Sequence, residues 1–189
     1  MRRGVIRQSE RHRKPSGRAW FVACVLLVAG ISPPKAHAAS MSSRELQVLE
    51  RVITFLLPSP SSGAQLCIVY AAADPASRRD AEEIAALLGG GLKIGTATVP
   101  SILVASPAAA AGGCRLVIVA AGANGPQISA ATRSAHTLCV TADTDAVQAG
   151  LCTMAIRSDP RMDIMINHTA AVAGGIEFAA AFRMMIREI

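Results

Sequence analysis

Three short, unbroken apolar runs constrain this chain most: QLCIVYAA from Gln65, RLVIVAA from Arg115 and HTLCVTA from His136. A strand with one wet face alternates polar and apolar residues, whereas a run this continuous suits a strand buried on both faces, as in a parallel sheet covered by helices. Helical patterns separate the runs. Asp74-Pro75 starts a helix that carries Arg78, Arg79, Asp80, Glu82 and Glu83 outward, buries Ile84, Leu87 and Leu88, and ends at Gly89-Gly90-Gly91. Leu92 to Val99 reads as another strand, alanine-rich Pro100 to Gly113 as a loose helix or loop, and Pro126 to Ala135 as a short helix. Alternating strand and helix imply parallel strands joined by right-handed crossovers. The expected class is α/β, with a mostly parallel sheet of about five to six strands flanked by helices.

The two ends complete this plan. Ser42 or Ser43 can cap a helix with Glu45 near the capping-box position, and Leu46, Leu49, Val52, Ile53 and Leu56 then share one face before Pro58 stops it. After a turn from Asp143 to Gly150, Leu151–Arg157 and Met162–Asn167 read as an antiparallel hairpin bent at Asp159-Pro160. TAAVAGGIEFAAAFRMMIREI, from Thr169 to Ile189, reads as a closing helix.

Residues 1–38 read as a segment to be removed. Arg2, Arg3, Arg7, Arg11, Arg13, Lys14 and Arg18 precede the uncharged run AWFVACVLLVAGI, and Ala36-His37-Ala38 supplies the small-x-small pattern of a signal-peptidase site. That run is too short to cross a bilayer core of roughly 30 Å as a helix. Export with cleavage after Ala38 is expected, leaving a single domain over 39–189 and no membrane span. Of 19 Lys and Arg, eight lie before residue 39, leaving 11; of 13 Asp and Glu only Glu10 does, leaving 12, so the remaining chain carries a net charge of −1. Its aromatics are Phe55, Tyr70, Phe178 and Phe182. Neither the charge nor the aromatics offer a nucleic-acid footprint.

Four cysteines stay with the domain: Cys67, Cys114, Cys139 and Cys152. An even number in an exported chain suggests disulfides, and counting alone leaves three pairings open. If the first and third strands are neighbours, in the 2-1-3 order common in such sheets, Cys67 and Cys114 come side by side at strand beginnings, and Cys139 and Cys152 do so in the fourth and fifth strands. A zinc site would need closer spacing and histidines, of which only His136 and His168 remain.

Catalytic equipment is sparse. The turn after the first strand, AAADPA, lacks the glycines of a dinucleotide-binding loop, and no serine sits in a nucleophile elbow. A helix cap accounts for Asp74, a polar turn for Asp143 and Asp145, and a helix cap for Asn167 within Asn167-His168-Thr169. Core packing is the simplest role for Met184-Met185. No cofactor is expected.

Cys114-Arg115-Leu116-Val117-Ile118-Val119, Leu138-Cys139-Val140-Thr141, Ala149-Gly150-Leu151-Cys152, Met165-Ile166-Asn167 and Gly175-Ile176-Glu177-Phe178 follow one another in an order that resembles the YfiR family of exported bacterial proteins. The similarity covers Gln65 to Ile189 and is strongest in the last third. The chain departs from the family by lacking its Trp-Pro after the first helix, where Phe55 and Pro58 stand, and by Ala179-Ala180-Ala181 where serines are usual. The resemblance implies a non-enzymatic periplasmic regulator that binds the periplasmic sensor domain of an inner-membrane diguanylate cyclase and represses it, lowering cyclic di-GMP and biofilm formation. It also implies a homodimer, and Cys139 and Cys152 match the family's cysteine pair best. Candidate partner-binding residues are Phe55, Ile176, Phe178, Phe182 and Met185. The alternatives are a small-ligand-binding or redox-sensing periplasmic module.

Overall fold

Ser42 opens the first helix by a reciprocal pair of hydrogen bonds: its Oγ accepts from the Glu45 N–H at 3.4 Å, and the Glu45 carboxylate accepts from the Ser42 N–H at 2.7 Å. This helix, α1 (Ser43–Val52), runs into a 3-10 turn over Ile53–Phe55 and buries Leu46, Leu49, Val52 and Ile53. The structure, a computed structural model, describes residues 40–60, 63–105 and 113–189; the segment read as an export signal, 1–38, and residues 106–112 of the alanine-rich stretch lie outside the described residues.

The strands are β1 (Leu56–Leu57), β2 (Gln65–Val69), β3 (Gly91–Ile94), β4 (Ala97–Val104), β5 (Cys114–Val119), β6 (Leu138–Thr141), β7 (Met154–Arg157), β8 (Asp163–Ile166), β9 (Glu177–Phe178) and β10 (Arg187–Glu188). Between them lie α2 (Pro75–Leu88), α3 (Pro126–Ser134), α4 (Thr144–Gln148), α5 (His168–Gly174) and α6 (Ala180–Arg183). Eight strands form one sheet in the order β3-β4-β2-β5-β6-β7-β8-β10, and β1 pairs with β9 in a small separate ribbon. β4, β2, β5, β6 and β7 are mutually parallel, β3 runs antiparallel to β4 and β8 antiparallel to β7, and β10 lies parallel to β8. Among the described residues no helix is long and apolar enough to cross a membrane.

The α/β class and mainly parallel sheet agree with the sequence reading, as does the β4-β2-β5 order. The sheet is wider than expected because Leu92–Val99 is not one strand and because the C-terminus adds β10 beside β8. Gly95, in the left-handed region at φ 61°, turns the chain into the hairpin β3–β4, and β4 extends through Pro100 to Val104. Gly91 permits this hairpin, since a Cβ there would collide with the Val99 carbonyl.

The expected closing helix does not form as one element. Gly175 adopts φ 63° and caps α5, after which β9, α6 and β10 follow separately. Asp143 to Gly150 is a short helix rather than a turn, capped by the Asp143 carboxylate through the Asp145 and Ala146 N–H groups. On α2, Leu87 faces solvent at 52% exposure, whereas Asp80 is buried and accepts from the Ala121 N–H at 2.6 Å. Asp80 thereby ties α2 to the loop after β5.

Alternating strand residues divide between two cores. Leu66, Ile68, Leu116, Ile118, Leu138, Val140, Met154 and Ile156 belong to the larger one, together with the apolar faces of α1 and α2. Cys67, Val69, Val117, Val119, Cys139 and Ala155 belong to the smaller one, which Ile128 of α3 and Val147 of α4 help to close.

Glu45 joins distant parts of this scaffold. Only 4% exposed, it also accepts from the N–H of Ser158 at 2.8 Å and from its hydroxyl at 3.1 Å, fastening α1 to the β7–β8 turn. Loss of this carboxylate leaves the half-buried Ser158 N–H without its partner and removes a cap. Glu45→Ala is expected to lower unfolding free energy by roughly 3 kcal/mol, and Ser42→Ala by only about 1 kcal/mol, as measured by urea unfolding.

Candidate functional site

The four cysteines form two bonds on the smaller-core face, Cys67–Cys114 and Cys139–Cys152, with Cα separations of 5.8 and 5.1 Å. Strand alternation alone would place Cys114 on the same face as Leu116 and Ile118, away from Cys67. A bulge prevents this: Gln65 pairs with Cys114 but Leu66 with Leu116, so Arg115 is looped out and Cys114 switches face. Cys139 lies in β6 as expected, whereas Cys152 sits in the loop before β7 rather than in the strand. All four are at most 4% exposed. In the loop-entropy account, sequence separations of 47 and 13 correspond to about 4 and about 3 kcal/mol.

The five candidate partner-binding residues fall into three environments. Phe55, Phe178 and Phe182 converge from the two ends of the chain: Phe55 stacks on Phe182 at 5.3 Å between ring centroids, and Phe178 meets Phe182 at 5.2 Å with the rings tilted by 45°. The β1–β9 ribbon causes this convergence, with Leu56 opposite Phe178 and the Ala179 N–H donating to the Phe55 carbonyl. Phe178 and Phe182 are buried and Phe55 is half-buried, so these rings are core.

Ile176, also half-buried, lines a cleft of about 180 Å³ with Phe178. Ile166, Ala171 and Val172 supply further apolar wall, and His168, Glu177, Arg183 and Glu188 the polar lining. Arg183 donates to both oxygens of Glu188, at 2.8 and 3.3 Å. These hydrogen bonds hold the Glu188 carboxyl below the ordinary carboxylate range; desolvation opposes them, and Arg183's charge adds a lesser lowering. A lowered folded-state value means that the pair persists as pH falls through the ordinary carboxylate range and is lost below it.

Met185 lies outside both groups at 64% exposure, and Met184 reaches 90%. Core packing, the role expected for this pair, is overturned because α6 ends at Arg183 and the chain turns before β10. The two methionines follow directly on Arg183 and precede Glu188 by a few residues, and those two side chains line the cleft. Val172, 65% exposed, adds apolar surface to the same cleft. Apolar walls with opposed charges and flexible methionines suit recognition of a partner surface.

Sequence reasoning did not single out His168, Glu177, Arg183 or Glu188 as neighbours. The five-residue separation of Arg183 and Glu188 matches no helix-face spacing, and a strand–helix–strand reversal brings them together. Asn167 does take the expected capping role, accepting from the Ala170 N–H, while its Nδ2 donates to the Val147 carbonyl and fixes α5 against α4.

The contrast between ring and methionine gives a direct check. Phe182→Ala is expected to cost roughly 3–5 kcal/mol in chemical unfolding by opening a core cavity, and Met185→Ser to change stability by less than about 0.5 kcal/mol.

No protein-family model matches the chain, and no curated protein matches it.

Proposed function

We propose that this chain is an exported, periplasmic, non-enzymatic regulator that binds the periplasmic domain of an inner-membrane diguanylate cyclase and represses it, as its resemblance to the YfiR family implies. The observation that carries the reading is the exposed Met184-Met185 pair set between two cleft-lining residues, Arg183 and Glu188. The two adjacent methionines present apolar, adaptable surface to solvent, and methionine is a frequent anchor at adaptable protein interfaces. The buried aromatic cluster behind the cleft supports the same role by making a rigid backing. Two buried disulfides agree with an oxidising compartment.

On this reading the rings of Phe55, Phe178 and Phe182 position the surface, and Met184, Met185, Val172 and Ile176 touch the partner. The protein lowers cyclic di-GMP by holding the cyclase's sensor domain in its inactive form, and it does so as a dimer.

Deletion of the gene is expected to raise cellular cyclic di-GMP only where a membrane cyclase with a periplasmic domain is intact; unchanged nucleotide in that background overturns the reading. Met184→Ser with Met185→Ser should abolish co-purification with membrane proteins while leaving the urea midpoint in place. Retained co-purification would move the contact surface elsewhere.

A further inference from the structure

A second cavity, of about 260 Å³, lies at the far end of β7 on the smaller-core face. Register explains its lining. Arg157 pairs with Asp163 across the hairpin, Arg187 pairs with Met165, and residues two apart on a strand share a face, so Arg157, Asp163, Met165 and Arg187 all project to one side. Met165, 1% exposed, provides an apolar floor. Arg161 enters from the turn, and Thr144 and Gln148 of α4 add a hydroxyl and an amide.

The charges do not balance. Arg187 donates to Asp163 at 2.6 Å, which uses one cation and one carboxylate. Arg157, half-buried, and Arg161, exposed at the turn, have no carboxylate partner among the described residues, and the remaining acidic group of the lining is Asp159, exposed like Arg161. Withdrawing a guanidinium from water without a counter-charge is unfavourable, and its planar fork matches the oxygens of carboxylate and phosphate. The space far exceeds the roughly 10–15 Å³ that one water needs.

We infer that this cavity is a binding site for a small oxyanion, the carboxylate or phosphate group of a compact solute, held by Arg157 and Arg161 with Thr144 and Gln148 as further donors. Arg187, kept in place by Asp163, walls the site. The site is separate from the Met184-Met185 surface and stands whether or not the chain represses a cyclase.

The test is calorimetric titration of the purified protein, both disulfides intact, with inorganic phosphate and separately with succinate, at fixed ionic strength set with sodium chloride. Saturable one-to-one binding of at least one of the two is expected, and whichever is preferred identifies the group. Arg157→Gln and Arg161→Gln should each weaken it about tenfold, as loss of a charge-assisted contact does, and Arg78→Gln on α2 should leave it unchanged. The preferred anion should also raise the melting temperature of the parent protein, by mass action, and not that of the Arg157→Gln, Arg161→Gln double variant. Absence of saturable binding for both anions, or binding equally weakened by Arg78→Gln, overturns the inference.

Discussion

Everything in this fold radiates from the pairing of β2 with β5. The two strands lie side by side at the centre of the sheet, and the chain leaves them in opposite directions: from β2 through α2 to β4 and β3, and from β5 through α3 to β6, β7 and β8. Reversal of strand order at this point would normally open a crevice at the strand ends, where ligands bind in many α/β proteins. Here the polar groups at that end serve the scaffold. Asp80 bonds to the Ala121 backbone, Asp74 caps α2, and the Asn124 amide reaches Thr141 and Asp143. The exposed apolar and cationic features lie instead toward β8 and β10.

The central pair also carries the longer disulfide, and the unequal cores explain its value. The larger core has two long amphipathic helices over it, whereas the smaller is closed by the shorter α3 and α4. A thin apolar layer gives less stabilisation by burial, and the loop-entropy term of two cross-links on the same face offsets that deficit. Their burial keeps them from reductant while the sheet stays closed. Redox sensing through these cysteines would therefore require the face to open.

The sheet was legible in the sequence because its central strands are apolar without interruption, and the caps at Ser42, Asp74 and Asn167 were legible because each places a side-chain oxygen just before a helical pattern. What escaped was set by single residues with long-range causes. Pro100 and the alanines nearby suggested a break, yet β4 continues through Pro100, which lies opposite Gly91 of β3 and one residue before the pairing of β4 with β2 begins at Ser101. Asp80 looked like one more outward charge on α2, since its bond to Ala121 depends on a loop 41 residues away. The C-terminal pattern had helical composition over much of its length, and the left-handed Gly175 and the turn after Arg183 divide it. The same division explains the site: three phenylalanines could be recognised as special, but their meeting, and the expulsion of Met184 and Met185 to the surface, follow from the β1–β9 ribbon that no local pattern announces.

The two margins of the sheet are treated differently. At the β3 margin the Lys93 N–H, facing away from β4, is taken by the Glu50 carboxylate of α1 at 3.1 Å, so a backbone donor that could recruit a foreign strand already has a partner. At the other margin β10 is a strand of two charged residues, Arg187 and Glu188, each occupied in an ion pair. Growth of the sheet from one molecule into the next is thus blocked by a side chain at one end and offered little length at the other. Contact between copies through side-chain surfaces is therefore easier to make than an extended hydrogen-bonded ladder.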